Sequence, residues 1–273
     1  MRHKYQINLI SDSTGETLDR IFLALKSQFL NFNCEKKEYI FVRTEQQINE
    51  IIKKCEGKKN VIILYTVVET KIDKHIKQAC EKKKIPCFSI LGNLILNFSK
   101  LIKKKPTHIP SAQHVLDEDY YKRIEAIQFT MSHDDGKKTE DINKSDIILL
   151  GVSRTSKTPT SIYLANRGYK VSNIPIIANK NLPNGLLENS KKTCVVGLIC
   201  EPARLSDVRR NRMQSMNEDR PLNYTNEKKI LSELDYSKDI FKKYNWPIID
   251  VTRKSVEETA ASIIKILDIL DSK

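Results

Sequence analysis

Short apolar runs alternate along the chain with longer amphipathic stretches. The runs Tyr5–Ile10, Tyr39–Val42, Val61–Tyr65, Cys87–Ile90, Asp146–Leu150, Cys194–Leu198 and Pro247–Val251 are rich in Ile and Val, are bounded by polar residues, and predict strands. Apolar positions at helical spacing predict helices between them, for example over Thr17–Leu30 and Asp117–Phe129. A last helix is signalled by Ser255 and Glu258, a capping box, followed by Ala260, Ile263, Ile264, Leu267 and Leu270 on one face. Strand and helix in alternation imply an α/β fold of parallel sheets flanked by helices. At 273 residues two lobes are expected rather than one. The polar stretch His133–Ser145, with Gly136, is the expected boundary. It separates an N-terminal α/β lobe (1–143) from a C-terminal phosphate-loop, kinase-like lobe (144–273).

The segment IILLGVSRTSKTPTSIYLANRG carries the most chemistry. An apolar strand ends at Gly151; Val152, Ser153, Arg154, Thr155, Ser156, Lys157 and Thr158 follow, and a helix is expected to begin near Pro159. Phosphate needs several backbone N–H groups aimed at one point, and a turn entering a helix N-terminus supplies them. Lys157 is placed to reach terminal phosphates, and the Thr158 hydroxyl to ligate Mg²⁺. The usual pattern is G-x-x-x-x-G-K-[ST]; Ser156 stands at the second Gly, and its Cβ restricts access to positive φ. The bland alternative is a polar turn with an incidental lysine.

Other constellations are weaker. Ser11-Asp12-Ser13-Thr14-Gly15 forms a second strand-to-helix junction, an anion site or ordinary N-capping. Asp134 and Asp135, before Gly136, suit a general base or a Mg²⁺ partner, or simply an Asx-turn. Arg204, Arg209, Arg210 and Arg212 on a helix from Pro202 read either as a phosphoryl clamp or as a solvated face. Asp250 ends a strand, where a parallel-sheet site opens, or caps the next loop. His108 and His114 have no metal spacing.

Composition narrows the classes. The net charge of +13 favours phosphate-bearing partners, but the lysines are scattered and no aromatics interleave the basic runs, so nucleic acid is not expected. Six cysteines without a CxxC pair read as reduced thiols of a cytoplasmic protein. No signal peptide is expected, since MRHKYQINLI runs straight into a strand, and the longest apolar runs are too short to cross a bilayer.

Beyond spacing, Gly151–Asn173 (GVSRTSKTPTSIYLANRGYKVSN) closely resembles the bacterial pyruvate, phosphate dikinase regulatory protein family, which includes the phosphoenolpyruvate synthase regulatory proteins. ISDSTGET (Ile10–Thr17), the YT of Leu64–Glu69, Arg123–Gly136, Val196–Arg212 and Trp246–Ile263 match in the same order, so the resemblance spans essentially the whole chain. It implies a bifunctional enzyme: an ADP-dependent serine/threonine kinase acting on a threonine near the dikinase's catalytic histidine, and a phosphorylase that removes that phosphate with inorganic phosphate, releasing pyrophosphate. It places the nucleotide on Gly151–Thr158, Ser156 included, with Lys157 holding ADP and Asp134 or Asp135 as base. The Arg204–Arg212 cluster could then neutralise developing charge and SDSTG could help bind inorganic phosphate. The same blocks fit phosphoenolpyruvate synthase as target. More distant readings are an ATP-dependent small-metabolite kinase and a non-catalytic nucleotide- or nucleic-acid-binding protein. Oligomeric state is not legible.

Overall fold

A four-stranded parallel sheet in the order second, first, third, fourth is built twice along the chain. The computed structural model describes residues 4–113, 116–178, 180–189, 193–216 and 224–272. Two compact units, Met1–Val115 and Leu116–Lys273, divide it. The expected boundary at 143/144 is thus displaced to 115/116. The helix before His133 packs within the second unit against the helix Lys157–Ala165 and the edge strand Val171–Pro175, and the acidic turn after it packs against that same strand.

The first unit runs β1 (Tyr5–Ser11), α1 (Glu16–Lys26), β2 (Cys34–Tyr39), α2 (Glu45–Cys55), β3 (Val61–Thr66), α3 (Thr70–Lys82), β4 (Cys87–Ser89) and α4 (Gly92–Ile102). Side chains alternate across β1. Ile7 and Leu9 pack with Leu18 and Phe22 of α1, whereas Ile10 joins Ile48, Ile52, Ile72 and Ile76 of α2 and α3 on the other face. The sheet is therefore covered on both sides, as parallel sheets require. One expected strand is misplaced: Tyr39–Val42 overlaps the observed β2 only at Tyr39, because charge in the sequence CEKKEY masks the strand. β2 pairs only with β1, so it is a sheet edge and its Glu35, Lys36 and Glu38 face solvent.

The second unit runs α5 (Glu118–Ser132), two 3₁₀ turns (Asp134–Gly136 and Thr139–Lys144), β5 (Ile147–Gly151), α6 (Lys157–Ala165), β6 (Val171–Pro175), α7 (Asn184–Asn189), β7 (Cys194–Ile199), α8 (Pro202–Met216), α9 (Glu227–Lys243), β8 (Ile248–Asp250) and α10 (Val256–Asp271). β5 is fully buried; Ile147 and Leu149 meet α6 and α10, and Ile148 and Leu150 meet Phe241 of α9. The capping box forms as expected: Ser255 Oγ accepts from Glu258 N, and Glu258 Oε2 accepts from Ser255 N. Leu270, expected on the buried face of α10, is 46% exposed. Strand β6 had no apolar signal, because Ser172 and Asn173 interrupt it; both are buried polar residues. Among the described residues no helix is long and apolar enough to cross a membrane.

Candidate active site

In both units the first strand lies between the second and the third, so the chain's crossovers diverge there and leave a crevice beyond the strand ends. In the second unit that crevice is made by β5, the loop Val152–Ser156 and the start of α6. Gly151 is required: a Cβ there would lie 2.7 Å from the Leu198 carbonyl oxygen and 2.7 Å from Thr155 Oγ1. Arg154 (φ 73°) and Ser156 (φ 60°) both take the left-handed conformation, and α6 starts at Lys157, two residues before the expected Pro159. Ser156 thus adopts the geometry usually given to Gly, at a steric cost of about 1–2 kcal/mol. Because the first N–H groups of a helix have no intrahelical acceptor, those opening α6 are available to an anion.

Two side chains brace this loop from inside. The Val152 carbonyl accepts from Thr155 Oγ1 (2.9 Å) and from Lys157 Nζ (2.9 Å). Lys157 is buried, and burial pulls its ammonium down to about 8; the carboxylates of Asp135 and Asp134 push the other way, and Arg209 and Arg154 add to the drop. The ammonium is thus a desolvated cation that an incoming anion would stabilise.

The acidic turn is brought against the same loop. Thr158 Oγ1 donates to Asp134 Oδ1 (2.9 Å), and Asn173 Nδ2 donates both to Asp134 Oδ1 and to Thr158 Oγ1 (3.0 Å). Asp135 (φ 56°) and Gly136 (φ 76°) are consecutive left-handed residues. Such strain persists only where the surroundings enforce it. Here the Asn173 N–H donates to the His133 carbonyl (3.1 Å), and Gly136 sits so close to Pro175 that a Cβ would meet Cδ at 3.3 Å. The Asp135 carboxylate is exposed.

The expected arginine clamp does not form as a group. Arg204, Arg210 and Arg212 are exposed, and Arg210 pairs with Asp207 (3.5 Å) on its own helix. Arg209 alone turns inward, 1% exposed. It donates to the Ser153 carbonyl through Nη2 (3.2 Å), to the Tyr224 carbonyl through Nη1 (3.0 Å), and to Glu233 Oε2 through Nη2 (2.7 Å). Its guanidinium lies 4.7 Å from the centre of the Tyr224 ring, and Ser153 Oγ bonds to Tyr224 Oη (3.0 Å). Burial raises the Tyr224 phenol, but hydrogen bonds with Ser153 and Arg154 and the two nearby guanidinium charges outweigh it, leaving a net lowering. Arg209 is therefore a strut beneath the loop. Its burial follows from α8 placing Leu205, Ser206 and Arg209 on one face. Asp250 caps the next loop, accepting from Thr252 N (2.9 Å).

The corresponding junction of the first unit, Ser11–Gly15, lines a cavity of about 140 Å³ with Thr66, Val68 and Ser111. Its polar groups are largely satisfied by one another. Asp12 Oδ2 accepts from Val68 N (2.8 Å), Ser111 Oγ donates to Ser13 Oγ (3.0 Å), and Thr66 Oγ1 donates to Ser11 Oγ (3.2 Å). Burial raises the Asp12 carboxyl, partly offset by the Val68 N–H and by Arg43. His108 Nδ1 meets the Val68 carbonyl (2.7 Å), while His114 lies outside the described residues. The cysteines are free thiols, and no group of three or more His, Cys, Asp or Glu able to hold a metal occurs among the described residues.

A family model described as kinase/pyrophosphorylase matches residues 7–264. Curated relatives cover nearly the full chain. A protein of Pelagibacter ubique (strain HTCC1062) is 60% identical over 98% of each chain, one of Chelativorans sp. (strain BNC1) is 42% identical over 95% of each, and one of Sinorhizobium fredii (strain NBRC 101917 / NGR234) is 43% identical over 96% of each. Each is named "Putative pyruvate, phosphate dikinase regulatory protein".

Proposed function

This chain belongs to the kinase/pyrophosphorylase family, and from that premise we propose that it is a bifunctional regulator of pyruvate, phosphate dikinase. In one direction it is a serine/threonine kinase that moves the terminal phosphoryl group of ADP to a threonine near the dikinase's catalytic histidine, leaving AMP. In the other, inorganic phosphate attacks the phosphothreonine, the bond to the threonine oxygen breaks, and pyrophosphate leaves. One observation carries the reading: a buried, desolvated Lys157 and the Asp134–Asp135 pair meet at one left-handed loop before a helix N-terminus.

Phosphoryl transfer asks for positioning and charge neutralisation more than for covalent chemistry. The amides opening α6 hold the diphosphate, and Lys157 turns from the Val152 carbonyl to the transferring group, whose charge restores the ammonium's solvation. Asp134 Oδ1 already accepts from two donors. The exposed Asp135 is therefore the base that takes the threonine hydroxyl's proton and returns it in the reverse branch. Mg²⁺ fits an oxygen-only set: Thr158 Oγ1 accepts once and donates once, leaving one lone pair, and Asp134 stands beside it. When bound, the ion supplies charge neutralisation at the phosphates.

The test mixes this protein with purified dikinase, ADP and Mg²⁺ and reads phosphothreonine by mass spectrometry. Adding inorganic phosphate in excess should reverse the mark with pyrophosphate formed. Asp135→Asn should lower the kinase rate by about 10²–10⁴. Full rate in Asp135→Asn refutes the base assignment, and an intact protein that never modifies the dikinase refutes the regulatory reading.

A further inference from the structure

Asn173 is the side chain at this site that nothing in the expected motif accounts for. It sits on β6, 2% exposed, with its amide against the turn after α5 and the first turn of α6. Both hydrogens of Nδ2 are spent, one on Asp134 Oδ1 and one on Thr158 Oγ1. Its Oδ1 is buried without a hydrogen-bond partner. A buried carbonyl left unpaired is a net cost to folding, so an apolar residue of similar size would suit this strand better. The amide is therefore held in place by what its nitrogen does.

We propose that Asn173 is a positioning residue for the cation and phosphates of the nucleotide complex, acting through Thr158 and Asp134. Its first N–H saturates one lone pair of Thr158 Oγ1. The Thr158 proton goes to Asp134, and the remaining lone pair is aimed by these two bonds. Its second N–H, together with Thr158, fixes Asp134 Oδ1 and so sets the direction of Oδ2. No sequence motif spans the three residues, because they come from three separate segments: the turn after α5, the first turn of α6 and the middle of β6. The inference rests on the nucleotide reading above.

The experiment compares the full chain with Asn173→Ala, Asn173→Leu, Thr158→Val and the double variant Asn173→Ala/Thr158→Val. ADP is titrated calorimetrically in chelator and again with Mg²⁺, and phosphothreonine formation is followed with dikinase. Expected are ADP binding without metal within about threefold of wild type, and a loss of about 10–100-fold in both Mg²⁺ affinity of the ADP complex and kcat, the range found when the partner of a metal ligand is removed. The KM for ADP should stay nearly constant, and the double variant should be no worse than Thr158→Val alone, since the two substitutions break one network. Asn173→Leu should melt no lower than wild type; it guards against an alanine variant that merely unfolds. Variants that keep wild-type Mg²⁺ affinity and kcat overturn the inference, as do losses that add in the double variant. A wild-type chain that binds no ADP overturns the nucleotide reading itself, a result distinguishable because it needs no variant.

Discussion

The two strand-to-helix junctions occupy the same place in the same sheet order and have opposite chemistry. After β1, the buried ionisable group is Asp12, whose carboxylate is satisfied by a backbone N–H, and the surrounding hydroxyls bond one another. After β5, the buried groups are Lys157 and Arg209, and the acidic partners stand across the loop. Topology offers a crevice twice. The sign of the buried charge differs between the two crevices, and on the proposed function it is the cationic one that takes the phosphate.

Breaking the comparison at its strongest point gives the largest effect. Lys157→Met should lower phosphothreonine formation by about 10²–10³, the usual loss when a preorganised charge at a transition state is removed. The paired change Ser13→Ala with Thr14→Ala in the first unit should move the kinase rate less than about threefold; a comparable loss in both would erase the distinction between the junctions. Arg209→Ala leaves Glu233 and the Ser153 carbonyl without their buried donor and should cost about 2–4 kcal/mol in a denaturant titration, with nucleotide binding weakened as the loop loses its strut. The left-handed positions differ more gently. Gly15→Ala forces φ 83° on a residue with a Cβ that would meet Ile40 Cγ2 at 3.0 Å, and should destabilise by about 1–2 kcal/mol. Ser156→Gly should change stability by less than about 1 kcal/mol, relief of strain being offset by the extra freedom of the unfolded chain.

The smallest effect is a proton count. Lys157 is pulled down to about 8 in the folded chain from an ordinary 10.5. Between those values the unfolded chain binds more protons, so stability from this group rises with pH across that window, and its full penalty is present below pH 8. A bound anion raises the ammonium again. ADP binding near pH 8.5 should therefore take up a fraction of a proton, seen as calorimetric heats that differ between buffers of different ionisation enthalpy, and Lys157→Met should abolish the difference.

Much of this was legible along the chain. The largely apolar runs of β1, β3, β5 and β7 are the central strands, and they announce themselves because both faces of each are covered. Two of the four edge strands did not: β2 is mostly charged, and β6 carries Ser172 and Asn173 inward. The loop Gly151–Thr158 could be read because its residues are contiguous. Asn173 could not, since its partners lie 15 and 39 positions away. Arg209 was visible as one of four arginines on a helix, but only packing against Tyr224 and Glu233 separates it from the three that face solvent.

The margins of the two sheets limit what a visiting polypeptide can pair with. In the first unit one margin is the charged β2 and the other is β4, three residues long. In the second, β6 ends in Pro175, which has no N–H to offer, and β8 is again three residues. None of these borders presents a long, uncharged run of unpaired main chain, so a visiting polypeptide has little to zip onto as an added strand. Under the proposed function, recruitment of the dikinase then falls to side chains on helices and loops, where contacts can be made and released once per catalytic cycle.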